Sequence, residues 1–147
     1  MQNLLVVDEQ PVMRAGIAHA VAASGMEVQL KGVGSAADAI GALRTGRWDG
    51  AIIDIGLSEA GGISFLSRLV KTHPDLPVLV FTAMPESPYG LRALRTGAAG
   101  FLHKSASPET LAEALRRVLA GRRYVSPVLA EQLADRMVND SDRVPHE

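Results

Sequence analysis

Short apolar runs alternate with helical patterns five times along this chain, and the runs end on chemically capable residues. Leu4-Leu5-Val6-Val7 runs into Asp8-Glu9, Ala51-Ile52-Ile53 into Asp54, and Val78-Leu79-Val80-Phe81 into Thr82. A shorter run, Phe101-Leu102, is followed closely by Lys104. Strands and helices in strict alternation imply a mostly parallel sheet with helices on both faces. Right-handed crossovers then leave few topologies. If the runs are strands of one such sheet, the acids, the hydroxyl and the ammonium meet at one edge.

The segments between the runs carry helix signals. Met13, Ile17, Ala20 and Val21 share one face, with Gly25 as a stop. Ser35 with Asp38 opens a second helix that Gly46 closes. Ile63, Leu66, Leu69 and Val70 mark a third, ended by His73-Pro74. Ser87-Pro88 and Ser107-Pro108 open the fourth and fifth, with Gly97 and Gly121 as their stops. The pentapeptide Ala42-Leu43-Arg44-Thr45-Gly46 recurs as Ala93-Leu94-Arg95-Thr96-Gly97 and reads as one glycine stop used twice.

Residues Met26 to Lys31 alternate apolar and polar, as a strand with one wet face does, so they form an edge strand. The other long runs are continuously apolar and therefore central. The expected fold is flavodoxin-like: a doubly wound, five-stranded parallel sheet in the order 2-1-3-4-5 with helices on both faces. Beyond Gly121 the pattern changes. Ser126-Pro127 caps a C-terminal linker helix whose stripe of Leu129, Leu133 and Met137 has no partner within the pattern. The division is a domain over 1–122 and a linker helix with polar tail over 123–147.

Composition narrows the chemistry. A net charge of −1 over 147 residues gives no reason to expect this segment itself to bind nucleic acid. The absence of cysteine excludes disulfides, thiolate metal sites and cysteine nucleophiles. No apolar stretch approaches the roughly 20 residues that span a bilayer, and no basic-then-apolar leader opens the chain, so a cytoplasmic location is expected.

In an open sheet of this order, ligands bind beyond the strand ends where the order reverses, between the first and third strands. Those strands end in Asp8-Glu9 and Asp54. Carboxylates about 4 Å apart repel by about 4 kcal/mol at an effective dielectric near 20, so a proton or a divalent cation must intervene. Oxygen ligands without nearby histidine or cysteine point to Mg²⁺. With Lys104 and Thr82 added, the set suits phosphoryl transfer, which needs charge neutralisation and in-line positioning. Gly32-Val33-Gly34 lacks the Lys-Ser/Thr partner of a nucleotide-binding loop and follows the wrong strand. The phosphoryl group must then be brought to an acceptor, and Asp54 is the best nucleophile. Taken singly, each of these residues reads as a strand end, a turn or a solvated lysine; only the combination makes a site.

That combination resembles the receiver domain of two-component response regulators over about Met1 to Arg123. The resemblance implies phosphorylation of Asp54 by a sensor histidine kinase. It also implies Mg²⁺ held by Glu9, Asp54 and the Gly56 backbone carbonyl, with Asp8 assisting through water. Thr82 and Phe101 would form a switch, Thr82 moving toward the phosphoryl group and Phe101 filling the space it leaves, with homodimerisation as the outcome. Asp8-Glu9-Gln10-Pro11, the segment Gly97 to Lys104, and Tyr124-Val125-Ser126-Pro127 look most like NarL/FixJ-type transcription regulators. In that group a LuxR-type helix-turn-helix DNA-binding domain follows, which this sequence lacks, so DNA would be reached only through it.

The sequence departs from the family pattern at several positions. Glu9 stands where aspartate is commoner, Ser58 where proline usually follows the Asp54 loop, and Gly56 and Met84 flank the site. Such a domain catalyses only its own phosphorylation and dephosphorylation and is not otherwise an enzyme. Two alternatives are a small aspartyl-phosphate hydrolase of haloacid dehalogenase type and a pseudo-receiver scaffold that works unphosphorylated. The first expects an aspartate two residues after the nucleophile, where Gly56 stands. The second expects reactive positions to be vacant, and all are filled.

Overall fold

The computed structural model describes residues 1–57 and 62–142; Ser58, which departs from the family pattern, lies outside them. Five parallel strands, β1 (Gln2–Val7), β2 (Val28–Val33), β3 (Gly50–Ile53), β4 (Val78–Thr82) and β5 (Gly100–His103), form one sheet in the order β2-β1-β3-β4-β5. The intervening helices are α1 (Pro11–Ala23), α2 (Ala36–Thr45), α3 (Ile63–Thr72), α4 (Glu86–Thr96) and α5 (Pro108–Leu119), followed by α6 (Pro127–Asp142). The order and the edge position of β2 are those expected from the sequence.

Strand pleating sends alternate residues to opposite faces, and the core divides accordingly. Leu5, Val7, Ile53, Val80 and Phe101 pack beneath α2, α3 and α4, while Leu4, Val6, Ile52, Phe81 and Leu102 pack beneath α1 and α5. Two apolar faces explain why the central runs are continuously hydrophobic. On β2 the residues from Val28 to Lys31 alternate between half-buried and exposed, as one wet face demands.

The second strand is displaced two residues from the expected Met26–Lys31. Its length is set by its partner: pairing begins at Gln2↔Val28 and ends at Val7↔Val33, whereas Met26 lies in the turn that precedes it. Ser35 and Ser107 cap α2 and α5 by accepting from the Asp38 and Thr110 amides at 3.1 Å. At Ser87 the backbone is extended, so regular α4 geometry starts only after it.

The repeated pentapeptide does not end its two helices in one way. Gly46 is extended (φ −131°), with Trp48 folded against it and donating its indole N–H to the Ala42 carbonyl at 2.9 Å. Gly97 takes a positive φ of 123°, and a Cβ there would meet Val70 at 2.7 Å. Ala42 and Leu43 are buried like Ala93 and Leu94, so the two stops differ in the neighbours that pack on each glycine, Trp48 in one and Val70 in the other.

The linker helix also differs from expectation. Its stripe is partnered in the first two turns: Leu129 is fully buried in the main core and Leu133 packs beside it, while Met137 stays 71% exposed. Gly90 of α4 makes the seat, since a Cβ there would lie 3.1 Å from Leu129. The chain reaches α6 along β5, where the Phe101 amide donates to the Tyr124 carbonyl and the Tyr124 amide to Ala99. Among the described residues, no helix is long and apolar enough to cross a membrane.

Candidate functional site

The strand register assembles the site. Val7 lies opposite Ile53 in the β1–β3 ladder, so Asp8 and Asp54 each follow by one residue and lie side by side at the same sheet edge. Backbone bonds continue past both strand ends: the Asp8 amide donates to the Val33 carbonyl and the Asp54 amide to the Val7 carbonyl. On the other side, the Lys104 amide donates to the Thr82 carbonyl at 2.9 Å, which carries the β5 terminus to the same edge. Lys104, two residues past Leu102, is thus anchored before its side chain is considered.

Asp54 sits at the centre. Its Oδ1 accepts from the Thr82 hydroxyl at 2.6 Å and from the Gly56 amide at 2.8 Å. Its Oδ2 pairs with Lys104 Nζ at 2.8 Å, and the same ammonium reaches Asp8 Oδ2 at 2.8 Å. The other Asp8 oxygen accepts from the Gln10 amide at 2.9 Å. One half-buried cation between a buried and a half-buried carboxylate offsets the repulsion expected of neighbouring acids. No buried side-chain nitrogen or oxygen among the described residues lacks a partner.

The ionisation of the pair follows from opposing causes. Burial pushes the Asp54 carboxyl upward, but the Lys104 ammonium, the Thr82 hydroxyl and the Gly56 amide together hold it below the ordinary 3.8. For Lys104, burial pulls downward, and the bonds to Asp54 and Asp8 carry it above the ordinary 10.5. Both shifts favour the charged pair.

Asp8, Asp54, Thr82 and Lys104 are therefore brought together. Glu9 follows Asp8 but is exposed. Among the described residues, no set of three acidic or histidine side chains is grouped for a metal. The crevice thus holds two carboxylates with a third acid on the adjoining loop. This donor set fits Mg²⁺, which uses one or two carboxylates, keeps several waters and shares a phosphate. Gly56 leaves the approach open, since a Cβ there would lie 3.1 Å from Asp54 Oδ1. Phe101 is buried on β5, one strand from Thr82 and two from Asp54, in the α2–α4 core.

Two supporting groups have no signal in the sequence. The Arg14 guanidinium donates to the Asp8 carbonyl at 2.7 Å. The His103 ring lies between the Ala83 carbonyl and Ser105 Oγ, fastening the β4–α4 loop to the end of β5. The His103 contact with Ala83 joins segments that only the fold makes neighbours, whereas the Arg14 contact spans the turn from β1 into α1.

Comparisons with known proteins place the chain in a family. The profile of the response regulator receiver domain matches residues 4–116. The chain is 36% identical over 138 residues to the response regulator GacA of Pseudomonas aeruginosa, covering 91% of this chain and 63% of that protein. It is 31% identical to the response regulator UvrY of Escherichia coli, again covering 91% of this chain and 62% of that protein. The chain thus spans less than two thirds of the length of these curated relatives. Among solved structures, a LuxR-family two-component response regulator from Aurantimonas superposes with a TM-score of 0.80 at 27% identity, covering 94% of this chain and 99% of that one. With this sheet order, this site and these matches, the chain belongs to the response regulator receiver domain family.

Proposed function

We propose that Asp54 is the phosphoacceptor of a receiver domain that relays a signal from a sensor histidine kinase to a transcriptional output. What supports this reading above all is Asp54 itself: one carboxylate bonded at once by Thr82 at 2.6 Å and Lys104 at 2.8 Å. An Asp54 oxygen attacks phosphorus, the O–P bond forms as the bond to the donor's leaving group breaks, and the product is an acyl phosphate. Lys104 offsets charge on the arriving phosphoryl oxygens, and Thr82 donates its hydroxyl to one of them. Asp8, Glu9, Asp54 and the Gly56 carbonyl would hold Mg²⁺, which supplies further charge neutralisation. The chain's catalysis is confined to its own phosphorylation and hydrolysis.

Thr82 and Phe101 serve as the switch. Residues 1–122 form the receiver and 123–147 the linker toward a DNA-binding domain, with dimerisation on phosphorylation and a cytoplasmic location. Incubation with Mg²⁺ and acetyl phosphate, followed by intact mass measurement, tests the core of this. One added phosphoryl group is expected, absent from Asp54→Asn and absent with EDTA. A wild-type mass unchanged under these conditions would sink the reading and leave the unphosphorylated scaffold. Sustained turnover of unrelated phosphate esters would favour the hydrolase.

A further inference from the structure

Arg14 stands on α1, yet its side chain leaves that helix and lies across the end of β2. A Cβ at Gly32 would come within 2.9 Å of its Cδ, and one at Gly34 within 3.2 Å of its Nη1. The two glycines that read as a failed phosphate loop therefore form a slot for an arginine. At the end of that slot, Nη1 donates to the Asp8 carbonyl at 2.7 Å.

The acceptor gives this contact its significance. The Asp8 carbonyl belongs to the peptide that joins Asp8 to Glu9, and its orientation decides where both acidic side chains start. The Asp8 amide is already fixed by Val33, and Oδ1 by the Gln10 amide. The carbonyl itself is held by Arg14.

We propose that Arg14 is a positioning residue that fixes the Asp8–Glu9 peptide for cation binding, with Gly32 and Gly34 as its slot; this rests on the site being a Mg²⁺-dependent phosphoacceptor. Groups that orient metal ligands commonly contribute about 10-fold or more to metal affinity. The sign separates positioning from simple charge. Arg14 is a cation near a cation site, so its charge alone opposes Mg²⁺, and neutralising it would tighten binding. Loss of positioning weakens binding instead.

The test uses the unphosphorylated full chain and Mg²⁺ alone, following the Gln10 and Gly56 amide resonances during titration. Arg14→Gln is expected to raise the Mg²⁺ concentration at half-saturation by about 10-fold, and Arg14→Lys to recover part of the loss. Gly32→Ala is expected to act in the same direction by displacing the arginine. The Arg14→Gln, Gly32→Ala pair should be no worse than Arg14→Gln alone, since both remove one interaction.

Unchanged or tighter Mg²⁺ binding in Arg14→Gln would overturn the proposal, as would independent, additive losses in the double variant. Should Arg14→Gln fail to fold, Gly32→Ala and Arg14→Lys carry the same comparison. A wild-type protein that binds Mg²⁺ but takes no phosphoryl group would count against the phosphoacceptor reading and not against the slot.

Discussion

At the scale of single residues, the site is held together by an ammonium that stands between two carboxylates in a crevice where each is largely shielded. Buried charges persist only when paired and hydrogen-bonded, and here Lys104 satisfies both Asp8 and Asp54 at 2.8 Å. These pairings set the sign of the pH dependence. The Asp54 carboxyl lies below 3.8 in the fold, so its contribution is complete above that value and is lost as pH falls through its lower native pKa. Lys104 lies above 10.5, so its contribution is complete below that value and is lost as pH rises through its native pKa. Carboxyl ¹³C titration should place the Asp54 midpoint below 3.8. In Lys104→Met the midpoint should move up, because burial then acts with less opposition. A midpoint unmoved by that substitution would show that Lys104 does not control the acceptor's charge.

At the scale of elements, each helix and strand was legible where one local cause sufficed. Serine caps at Ser35 and Ser107, the stop at His73 before Pro74, and the apolar strand β4 stand where the residue pattern puts them. Where a partner decided, the pattern fell short: β2 runs as far as β1 pairs with it, and the same five residues end α2 and α4 with different glycine geometry. The linker helix is the clearest case, since its apolar stripe is visible in the sequence but the Gly90 notch that receives Leu129 is not. Leu129→Ala should cost about 2–5 kcal/mol, as full truncation of a core leucine does, read from the shift in urea midpoint. Ser126 caps α6 at the Leu129 amide and also donates to Glu86 at 2.8 Å. Ser126→Ala should therefore cost about 1 kcal/mol by the same measurement.

At the scale of the whole molecule, β5 links the site to the linker helix. Lys104 follows β5 directly, Phe101 within it is buried, and the Phe101 amide bonds the Tyr124 carbonyl on the way to α6. A change in Phe101 packing would be felt at once by that segment and by α4, against which Leu129 sits. Acetyl phosphate should convert the wild-type chain to a dimer in sedimentation velocity. Phe101→Leu, which keeps an apolar side chain, should accept the phosphoryl group by mass yet dimerise at least about 5-fold less tightly, a coupling near 1 kcal/mol. Equal association of both proteins would separate Phe101 from the switch.

The order of apolar runs and the residues that terminate them settled the parallel sheet, the edge strand and the candidate reactive set, because alternation and strand-end position are local properties of the chain. Contacts across the fold decided the rest. Register brought Asp8 beside Asp54, Lys104 took both carboxylates at once, and an arginine from α1 occupied a slot cut by two glycines at the end of β2. Most of those contacts join residues far apart in sequence, and their geometry is set by packing to fractions of an ångström, which no pattern of residue types records.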